Sequence, residues 1–372
     1  MSAAPSPSSA ELKVLLAKTV AGQPLSFAEA QQAFGLIMDG AASPAQIAAL
    51  LVSLRMRGET VDEISAAVSV IRSKALAIKA PAGAMDIVGT GGDGMHTLNI
   101  STATALVVAA CGVPVAKHGN RAVSSKSGTA DVQTALGINI NADFPVIERM
   151  LREAGYGFML APRHHESFKH VGPVRAELGV RTIFNLLGPL CNPAGVQRYL
   201  LGVYAKEWVR PVAETLARLG CERAWVVYGA GGLDELSTLG SNSVCSVEQG
   251  ELSDLEVTPE QAGLPRATIT DIQGGDAAYN ASRLQALLAG QQDAYRDIVV
   301  FGAAAALLIA GAAPVLAKDK PAAPAQPEIA TGYKAKPGWN LKNRGVSAAN
   351  PLATEAGYHI LKAGGSAVDA AI

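Results

Sequence analysis

The sequence predicts a small N-terminal helical domain followed by an α/β domain with a mostly parallel central sheet. Two observations lead to this prediction. Helix-capping patterns recur through residues 1–80, whereas from residue 81 onward short apolar strands alternate with helices that open on glycine-rich loops. Strands and helices that alternate at this spacing form βαβ units, and such units build parallel sheets.

The helical part is recognised by its caps. In LSFAEAQQAFGLIMDG, Ser26 stands before the helix and Glu29 follows three residues later, which is a capping-box pattern. In SPAQIAALLVSLRMRG, Ser43 is the N-cap, Pro44 takes the first helical position and Gly58 marks the end. TVDEISAAVSVIRSKA gives a third amphipathic helix. Short connections between these helices predict a compact bundle.

The α/β part begins with MDIVGTGGDG, a strand that runs into a glycine loop. NISTATALVVAACG then predicts a helix, VPVAKHGN a second strand and loop, and SSKSGTADVQTALG another loop and helix. The apolar pieces AWVVYGAGG and DIVVFGAAAALL follow. Ligands on parallel sheets bind beyond the carboxyl ends of the strands, where these glycine loops lie.

The composition excludes several classes of function. Of the 372 residues, 49% are hydrophobic and 17% are charged, and the net charge is −1, which gives no bias toward nucleic acid. The cysteines are far apart and form no C-x-x-C pair, so a reducing compartment is expected; they are Cys111, Cys191, Cys221 and Cys245. The N-terminus lacks the pattern of a secretory signal, and we expect a cytoplasmic location.

One apolar run is long enough to span a membrane. Residues 298–317, IVVFGAAAALLIAGAAPVLA, contain no charge over twenty positions. Eight of the twenty are alanine, however, and Gly302, Gly311 and Pro314 interrupt the run. We therefore expect a buried strand or helix here and no membrane partner.

The glycine loop admits two interpretations. Residues 89–94, GTGGDG, satisfy the G-x-G-x-x-G pattern of dinucleotide-binding folds, which also requires an acidic residue about 20 positions further on. The window 103–123 contains no Asp or Glu, and the second strand ends instead in Lys117, His118 and Arg121. This basic cluster favours a substrate with several phosphate charges over a dinucleotide.

Backbone and side-chain donors in this region can form an anion cradle. Gly89, Gly91 and Gly92 allow backbone N–H groups to approach a phosphate, and the helix that opens near residues 99–102 directs its positive end to the same place. Lys117 and Arg121 add charge, and hydroxyl donors follow at Ser124, Ser125 and Ser127. We therefore predict a site for a pyrophosphate together with a further phosphate.

Two further motifs carry ionisable side chains. Asp234 and Glu235 follow the strand AWVVYGAGG, and adjacent carboxylates suit Mg²⁺, which retains waters and bridges to substrate phosphates. The segment RHHESFKH is rich in histidine, but His165 and His170 are five positions apart, a poor match to two ligands on one helix face. We interpret its histidines as packing or positioning residues.

Residues 10 to 311 resemble the anthranilate phosphoribosyltransferases. Several separate motifs occur in the order of that family: GTGGD, NIST, KHGNR, SSKSGTAD, PVRAELGVRTIFNLLGPLCNP and DE. Pyrimidine nucleoside phosphorylases share the helical-plus-α/β plan. An enzyme of that type, or a phosphoribosyltransferase with another aromatic acceptor, remains an alternative within enzymes. An inactive binding protein is the alternative from another class.

The resemblance implies a role for each motif residue. Contacts to phosphoribosyl pyrophosphate fall on Gly89, Gly92, Asp93, Thr97, Asn99, Ile100, Ser101, Thr102, Lys117, His118, Gly119, Asn120, Arg121, Ala122, Val123, Ser124, Ser125 and Thr129. Contacts to anthranilate fall on Gly89, His118, Asn120, Arg175, Gly188 and Pro189. Magnesium ligands fall on Ser101, Asp234 and Glu235. Lys117 and Asp93 are expected to act electrostatically, with no residue as acid or base, because an aromatic amine is already neutral at pH 7.

The resemblance also implies a domain organisation. It places the helical domain at 1–80, with a returning segment near 173–195, and the substrate domain at 81–311, so that the active site lies at the cleft of a homodimeric enzyme. Residues 312–372 depart from the family: a Pro- and Lys-rich linker precedes a fragment, KPGWNLKNRGVSAANPLATEAGYHILKAGGSAVDAAI, that resembles the start of a mature γ-glutamyltransferase. This tail is interpreted as a chimera or gene-assembly artefact without activity of its own.

Overall fold

The N-terminal part of the chain is a bundle of four helices. The computed structural model describes residues 7–121 and 127–311. Its first helices are α1 (Pro7–Val20), α2 (Phe27–Met38), α3 (Pro44–Arg57) and α4 (Val61–Lys74). The predicted capping box between Ser26 and Glu29 forms before α2, and the predicted N-cap Ser43 forms a capping box with Gln46 before α3. The bundle has one helix more than the three predicted, namely α1.

The second part contains a seven-stranded sheet. Its strands are β1 (Met85–Gly89), β2 (Val115–Gly119), β3 (Tyr156–Leu160), β4 (Arg198–Gly202), β5 (Arg223–Tyr228), β6 (Asn242–Glu248) and β7 (Glu251–Val257), in the order β3-β2-β1-β4-β5-β6-β7. The first five strands are parallel, and β6 and β7 add an antiparallel edge. The prediction of a helical domain before a mostly parallel α/β domain is confirmed.

Helices cover both faces of the sheet. They are α5 (Ile100–Ala110), α6 (Thr129–Ala135), α7 (Phe144–Glu153), α11 (Val209–Arg218), α12 (Ala277–Leu288) and α13 (Ala294–Ala310). Neighbouring strand residues point to different cores: Val88 packs in the core shared with the bundle, whereas Ile87 packs in the core beneath α5 and α13. This burial on both faces explains the continuous apolar runs of the strands.

The segment between β3 and β4 returns to the bundle. It contains α8 (Ala161–His164), α9 (Gly172–Leu178) and α10 (Phe184–Leu190). The Phe184 ring packs edge-on against Phe34 of α2, with ring centroids 6.1 Å apart. Residues of α9 and α10 therefore share the apolar core of the helical bundle, while the chain on either side of them belongs to the sheet.

The apolar run at residue 298 is helical. The sequence left a strand or a helix as alternatives, and the strand is wrong. Helix α13 spans Ala294–Ala310, and its C-cap Gly311 adopts the left-handed conformation, with φ +66°. Every residue from Ile298 to Leu307 is buried, so α13 is apolar all round because it lies inside the protein. Among the described residues, no helix combines the length and apolarity needed to cross a membrane.

Candidate active site

The predicted ligand-binding loops meet at the carboxyl edge of the parallel strands. The GTGGDG loop leaves β1, the KHGNR loop leaves β2, and Asp234 and Glu235 follow β5. The N-terminus of α5, capped by Asn99, opens at the same edge. Because β1 pairs with both β2 and β4, and β4 pairs with β5, these loops are neighbours in space.

The acidic doublet packs directly onto the ends of two strands. A Cβ atom added at Gly89 would lie 2.2 Å from Asp234 Oδ2, and one added at Gly202 would lie 1.6 Å from the Asp234 carbonyl oxygen. Glycine is therefore required at both positions by close approach. The Gly91 N–H donates to Asp234 Oδ2 at 2.6 Å, and the Ser101 N–H donates to Glu235 Oε1 at 3.1 Å. The doublet thus joins the glycine loop to α5.

Three carboxylates face one another in this arrangement. Asp234 is 8% exposed, and burial together with the nearby Asp93 and Glu235 raises its pKa well above the usual range. Burial also raises the pKa of Glu235 to about 7, opposed by the positive charge of Lys117. The sequence assigned Asp93 to the sugar substrate, and the structure additionally places it beside the doublet. The sequence indicates this additional role of Asp93, because Asp93 is an acidic residue within an otherwise uncharged glycine loop.

This donor set fits a magnesium ion. Carboxylate oxygens that repel one another are stabilised by a divalent cation, and the Ser101 hydroxyl, which hydrogen-bonds with Glu235, is a further oxygen that could hold it. Within the described parts of the chain, no group of three or more His, Cys, Asp or Glu side chains has the arrangement of a complete metal site. Mg²⁺ normally completes its coordination with waters and substrate phosphates, so two or three protein ligands suffice.

Lys117 is buried beneath the site. Its side chain is 1% exposed, and its Nζ donates to the Ile87 carbonyl oxygen at 2.5 Å. Burial lowers its pKa, whereas the charges of Asp86, Glu235 and Asp234 raise it. Lys117 is thus placed as a buried counter-charge to the carboxylates, and its ammonium is held by the protein backbone.

The remaining predicted residues of the sugar-phosphate site border the same edge. Thr97 forms an isolated bridge with Gln273, Ile100 and Thr102 are buried in the first turn of α5, and Gly119 ends β2. The Asn120 carbonyl oxygen accepts from the Ala130 N–H at 3.2 Å, which joins the KHGNR loop to α6 just after Thr129. Arg121 pairs with Asp131 at 3.2 Å. The predicted contacts at Ala122, Val123, Ser124 and Ser125 lie outside the described residues.

His118 lies between the sheet and the returning segment. Its backbone N–H donates to Asp86 Oδ1 at 3.3 Å, and its ring lies 5.2 Å from the His165 ring in an edge-on arrangement. Burial lowers the pKa of both rings, to about 4 for His165, so both are neutral at pH 7. His170 packs elsewhere, against Gly40 at the end of α2. Within the histidine-rich segment, His165 therefore lies at the site and His170 lies at the helical bundle.

The returning segment carries the residues predicted for the aromatic acceptor. Arg175, in α9, is half-buried, and its guanidinium lies over the Phe184 ring at 5.4 Å from the centroid. Its side chain makes no ion pair or hydrogen bond within the described residues. Gly188 and Pro189 lie in α10, the next helix along the chain.

Two buried polar residues were missed by the sequence reasoning. Asp86 is fully buried in β1, and Asn192, after α10, donates to Asp86 Oδ2 at 2.7 Å and to the Ala116 carbonyl oxygen at 2.8 Å. Burial raises the pKa of Asp86 to about 6, opposed by Lys117 and by these hydrogen bonds. The sequence indicates Asp86 as a residue of interest, because it is a charged residue inside an apolar strand and a buried charge requires partners.

Known protein families match both domains of the chain. A glycosyl transferase family, helical bundle domain, matches residues 13–75, and a glycosyl transferase family, a/b domain, matches residues 81–333. The second match runs past Gly311, where the described part of the chain ends. These matches define the class as a two-domain glycosyl transferase.

Individual relatives identify the family within this class. An anthranilate phosphoribosyltransferase of Rhodospirillum rubrum is 60% identical over 307 residues, 82% of this chain and 88% of the relative. The crystal structure of the Thermus thermophilus enzyme is similar with a TM-score of 0.76 at 45% identity, over 81% of this chain and 90% of that chain. The Saccharomyces cerevisiae enzyme in complex with PRPP and Mg has a TM-score of 0.74 at 26% identity, over 81% and 89%. The chain belongs to the anthranilate phosphoribosyltransferase family.

Proposed function

We infer that this protein transfers the phosphoribosyl group of phosphoribosyl pyrophosphate to the amine of anthranilate, with release of pyrophosphate, as a step of tryptophan biosynthesis. The observation that carries this inference is the meeting of the carboxylate doublet, the glycine loop and the N-terminus of α5 at one edge of the sheet. Family membership at 60% identity supports the same reaction.

We propose that the site works by positioning and by stabilising the leaving group. Displacement of pyrophosphate builds negative charge on the departing oxygens, and the glycine loop and the N-terminus of α5 would supply N–H groups to receive it. A Mg²⁺ ion held by Asp234, Glu235 and Ser101 would neutralise part of that charge when bound. The amine of the acceptor needs no strong base, because it is uncharged at pH 7.

We further propose that Arg175 binds the acceptor carboxylate. A half-buried guanidinium with no acidic partner among the described residues is available for an anion. This feature favours anthranilate over a pyrimidine base, which has no carboxylate. His118, Asn120, Gly188 and Pro189 complete the proposed acceptor contacts, with His118 neutral so that its ring can lie beside an aromatic amine.

The decisive experiment follows the fluorescence of anthranilate in the presence of phosphoribosyl pyrophosphate, with and without Mg²⁺. Loss of fluorescence that requires both the sugar substrate and the metal supports the proposed reaction. Binding of both substrates without turnover would identify an inactive binding protein. Phosphorolysis of a pyrimidine nucleoside, without consumption of anthranilate, would identify the phosphorylase alternative.

We propose that the enzyme is a homodimer that associates through its helical domain. The most exposed large apolar side chains of the described residues are Met56 (84%), Val14 (71%) and Val20 (69%), all on α1 and α3. Helices α1 and α3 pack against each other, so these side chains belong to one region of the bundle. Light scattering on the wild type and on Met56→Glu tests this, with a dimer expected for the first and a weakened dimer for the second.

We propose a cytoplasmic location and a foreign origin for residues 312–372. The four cysteines are free thiols, which suits a reducing compartment. The curated relatives match 81–82% of the chain, and the a/b domain match ends at residue 333, which leaves at least the last 39 residues outside that family. The resemblance of that tail to a γ-glutamyltransferase supports a chimera or an assembly artefact.

A further inference from the structure

A single arginine connects the acceptor side of the site to the pyrophosphate side. Arg181 lies on the connection between α9 and α10, two residues after Gly179, which ends α9 in the left-handed conformation with φ +62°. Its guanidinium donates to the Gly92 carbonyl oxygen in the glycine loop, 89 positions away in sequence. The same guanidinium lies over the Tyr204 ring, 4.5 Å from the centroid.

Tyr204 also contacts the glycine loop through its backbone. Its backbone N–H donates to Thr90 Oγ1 at 3.0 Å, and the Thr90 N–H donates to the Gly202 carbonyl oxygen at 2.9 Å. The glycine loop is therefore held at Thr90 by the end of β4 and at Gly92 by Arg181. The guanidinium of Arg181 lies on the ring of Tyr204, and the backbone of Tyr204 holds Thr90. The two contacts that hold the glycine loop are therefore connected to each other.

The contact with Gly92 controls a donor of the proposed pyrophosphate site. The peptide unit is planar, so fixing the direction of the Gly92 carbonyl also fixes the direction of the Asp93 N–H, which points the opposite way. Gly91 and Gly92 have φ of +69° and +74°, and Gly94 follows with +78°. Such a glycine-rich loop has wide backbone freedom. The Gly91 N–H is held by Asp234, and the contact with Arg181 additionally selects one orientation of the next peptide unit.

Among the described residues, Arg181 has no competing partner. It is exposed and makes no ion pair within the described residues, although 13 ion pairs hold many of the other arginines and lysines. Ordering a long exposed side chain costs conformational entropy. The carbonyl of Gly92 and the face of Tyr204 are the contacts that offset this cost, and both belong to the pyrophosphate side of the site.

We propose that Arg181 is a positioning residue that couples the two substrate sites, so that occupation of either one favours binding at the other. The proposal rests on the function proposed above, since it assumes that Arg175, on the same segment, holds the acceptor. When the acceptor orders α9 and its C-terminal connection, Arg181 is held against Gly92, and the loop amides are oriented for pyrophosphate. Binding of pyrophosphate orders the same contact from the other side.

The coupling can be measured without turnover. Anthranilate and Mg²⁺-pyrophosphate form a complex that cannot react, because the ribosyl group is absent. Calorimetric titration of anthranilate with and without saturating Mg²⁺-pyrophosphate gives the coupling factor, and the reverse titration must give the same factor. For the wild type we expect about a tenfold tightening in either direction, within the range usual for coupled sites.

Matched variants separate coupling from general damage. Arg181→Ala is expected to bring the coupling factor close to one, and Arg181→Lys to retain part of it. Tyr204→Leu should reduce the factor and Tyr204→Phe should not, since only the ring carries the cation–π contact. Arg210→Ala, at another exposed arginine that pairs with Glu214 and Asp254, is the control and should retain the wild-type factor.

Two outcomes would overturn the proposal. One is a wild-type protein in which the two ligands bind independently, and the other is an Arg181→Ala variant with the wild-type coupling factor. Turnover of the wild type is measured separately in the fluorescence assay. A wild type that is active but uncoupled refutes the role of Arg181 alone, whereas an inactive wild type refutes the proposed reaction.

Discussion

At the residue scale, burial and mutual repulsion make the carboxylate doublet costly to ionise in the folded protein. Asp234 is pressed against two strand-ending glycines and next to Asp93 and Glu235, where burial and mutual repulsion raise the pKa values. A divalent cation relieves this repulsion. The metal-free protein therefore disfavours the ionised form of the doublet, at the position that we propose for Mg²⁺.

The first prediction follows from the raised pKa of Glu235. A carboxyl whose pKa rises from 4.5 to about 7 on folding stabilises the fold most below pH 4.5, and this contribution is lost as the pH rises through 7. Glu235→Gln removes the ionised form, so we expect the metal-free variant to be about 1–3 kcal/mol more stable than the wild type at pH 8, with little difference at pH 4.5.

Thermal unfolding in a chelator at the two pH values measures this difference. Glu153→Gln, at an exposed position of α7, is the control and should show no change. The same Glu235→Gln variant should lose most of its Mg²⁺-dependent turnover. A variant that is less stable than the wild type at pH 8 would contradict the proposed electrostatic strain.

The second prediction concerns Arg175. Removing its guanidinium in Arg175→Ala deletes a charge-assisted hydrogen bond to the acceptor carboxylate, which is worth about 1.5–3 kcal/mol, or about 10- to 150-fold in KM for anthranilate. The KM for phosphoribosyl pyrophosphate serves as the internal control and should change far less. Steady-state kinetics with each substrate varied in turn measures both values, and equal changes would refute the assignment.

At the element scale, the returning segment is fixed to the sheet by a buried polar pair. Asn192 joins the end of α10 to both β1 and β2 through Asp86 and the Ala116 carbonyl, and Arg72 of α4 donates to the Leu190 carbonyl oxygen at 2.7 Å. Gly188 and Pro189 lie immediately before this pair. The position of the proposed acceptor site relative to the strands therefore depends on Asp86 and Asn192.

The third prediction tests this connection. Asn192→Ala leaves a buried carboxylate short of a donor and a buried carbonyl unpaired, which should lower the free energy of unfolding by about 2–4 kcal/mol. Denaturant titration measures the loss, and Asn141→Ala, at an exposed position, should be within about 0.5 kcal/mol of the wild type. A similarly small effect at Asn192 would mean that the pair does not hold the segment.

At the scale of the whole molecule, the described fold ends at the C-cap of α13. The Gly311 N–H donates to the Leu308 carbonyl oxygen, and Arg198 of β4 donates to the Ala310 carbonyl oxygen at 2.8 Å, so the last turn of α13 has its own partners. The end of this helix is thus satisfied within the described residues.

The fourth prediction concerns residues 312–372. If they are a passenger, a chain that ends at Gly311 should unfold at a midpoint similar to that of the full chain, because no apolar area is newly exposed. Differential scanning calorimetry of both chains at equal concentration measures this. A midpoint lower by several degrees would show that the tail buries apolar surface, at ~25 cal/mol per Å², and that its interpretation as a passenger is wrong.

Local patterns in the sequence predicted much of the molecule because their physical basis is local. Capping boxes, strand-to-loop transitions and the glycine loop each depend on residues a few positions apart, and all of them occur in the structure. The sequence did not distinguish a helix from a strand at α13. A fully buried helix has no polar face, so its hydrophobic residues show no helical periodicity. Its burial depends on the packing of α13 against α5 and the sheet.

The sequence by itself determined the order of the two domains, the mostly parallel sheet and the chemistry of the phosphate-binding edge, since these follow from residue types and short spacings. Only the tertiary structure placed Asp93 against Asp234, Asn192 against Asp86 and Arg181 against Gly92. These partners are about 90 to 140 positions apart, and nothing in a local pattern specifies which distant polar group a side chain will meet. That choice is made by the packing of the returning segment and the strand-end loops into one cleft.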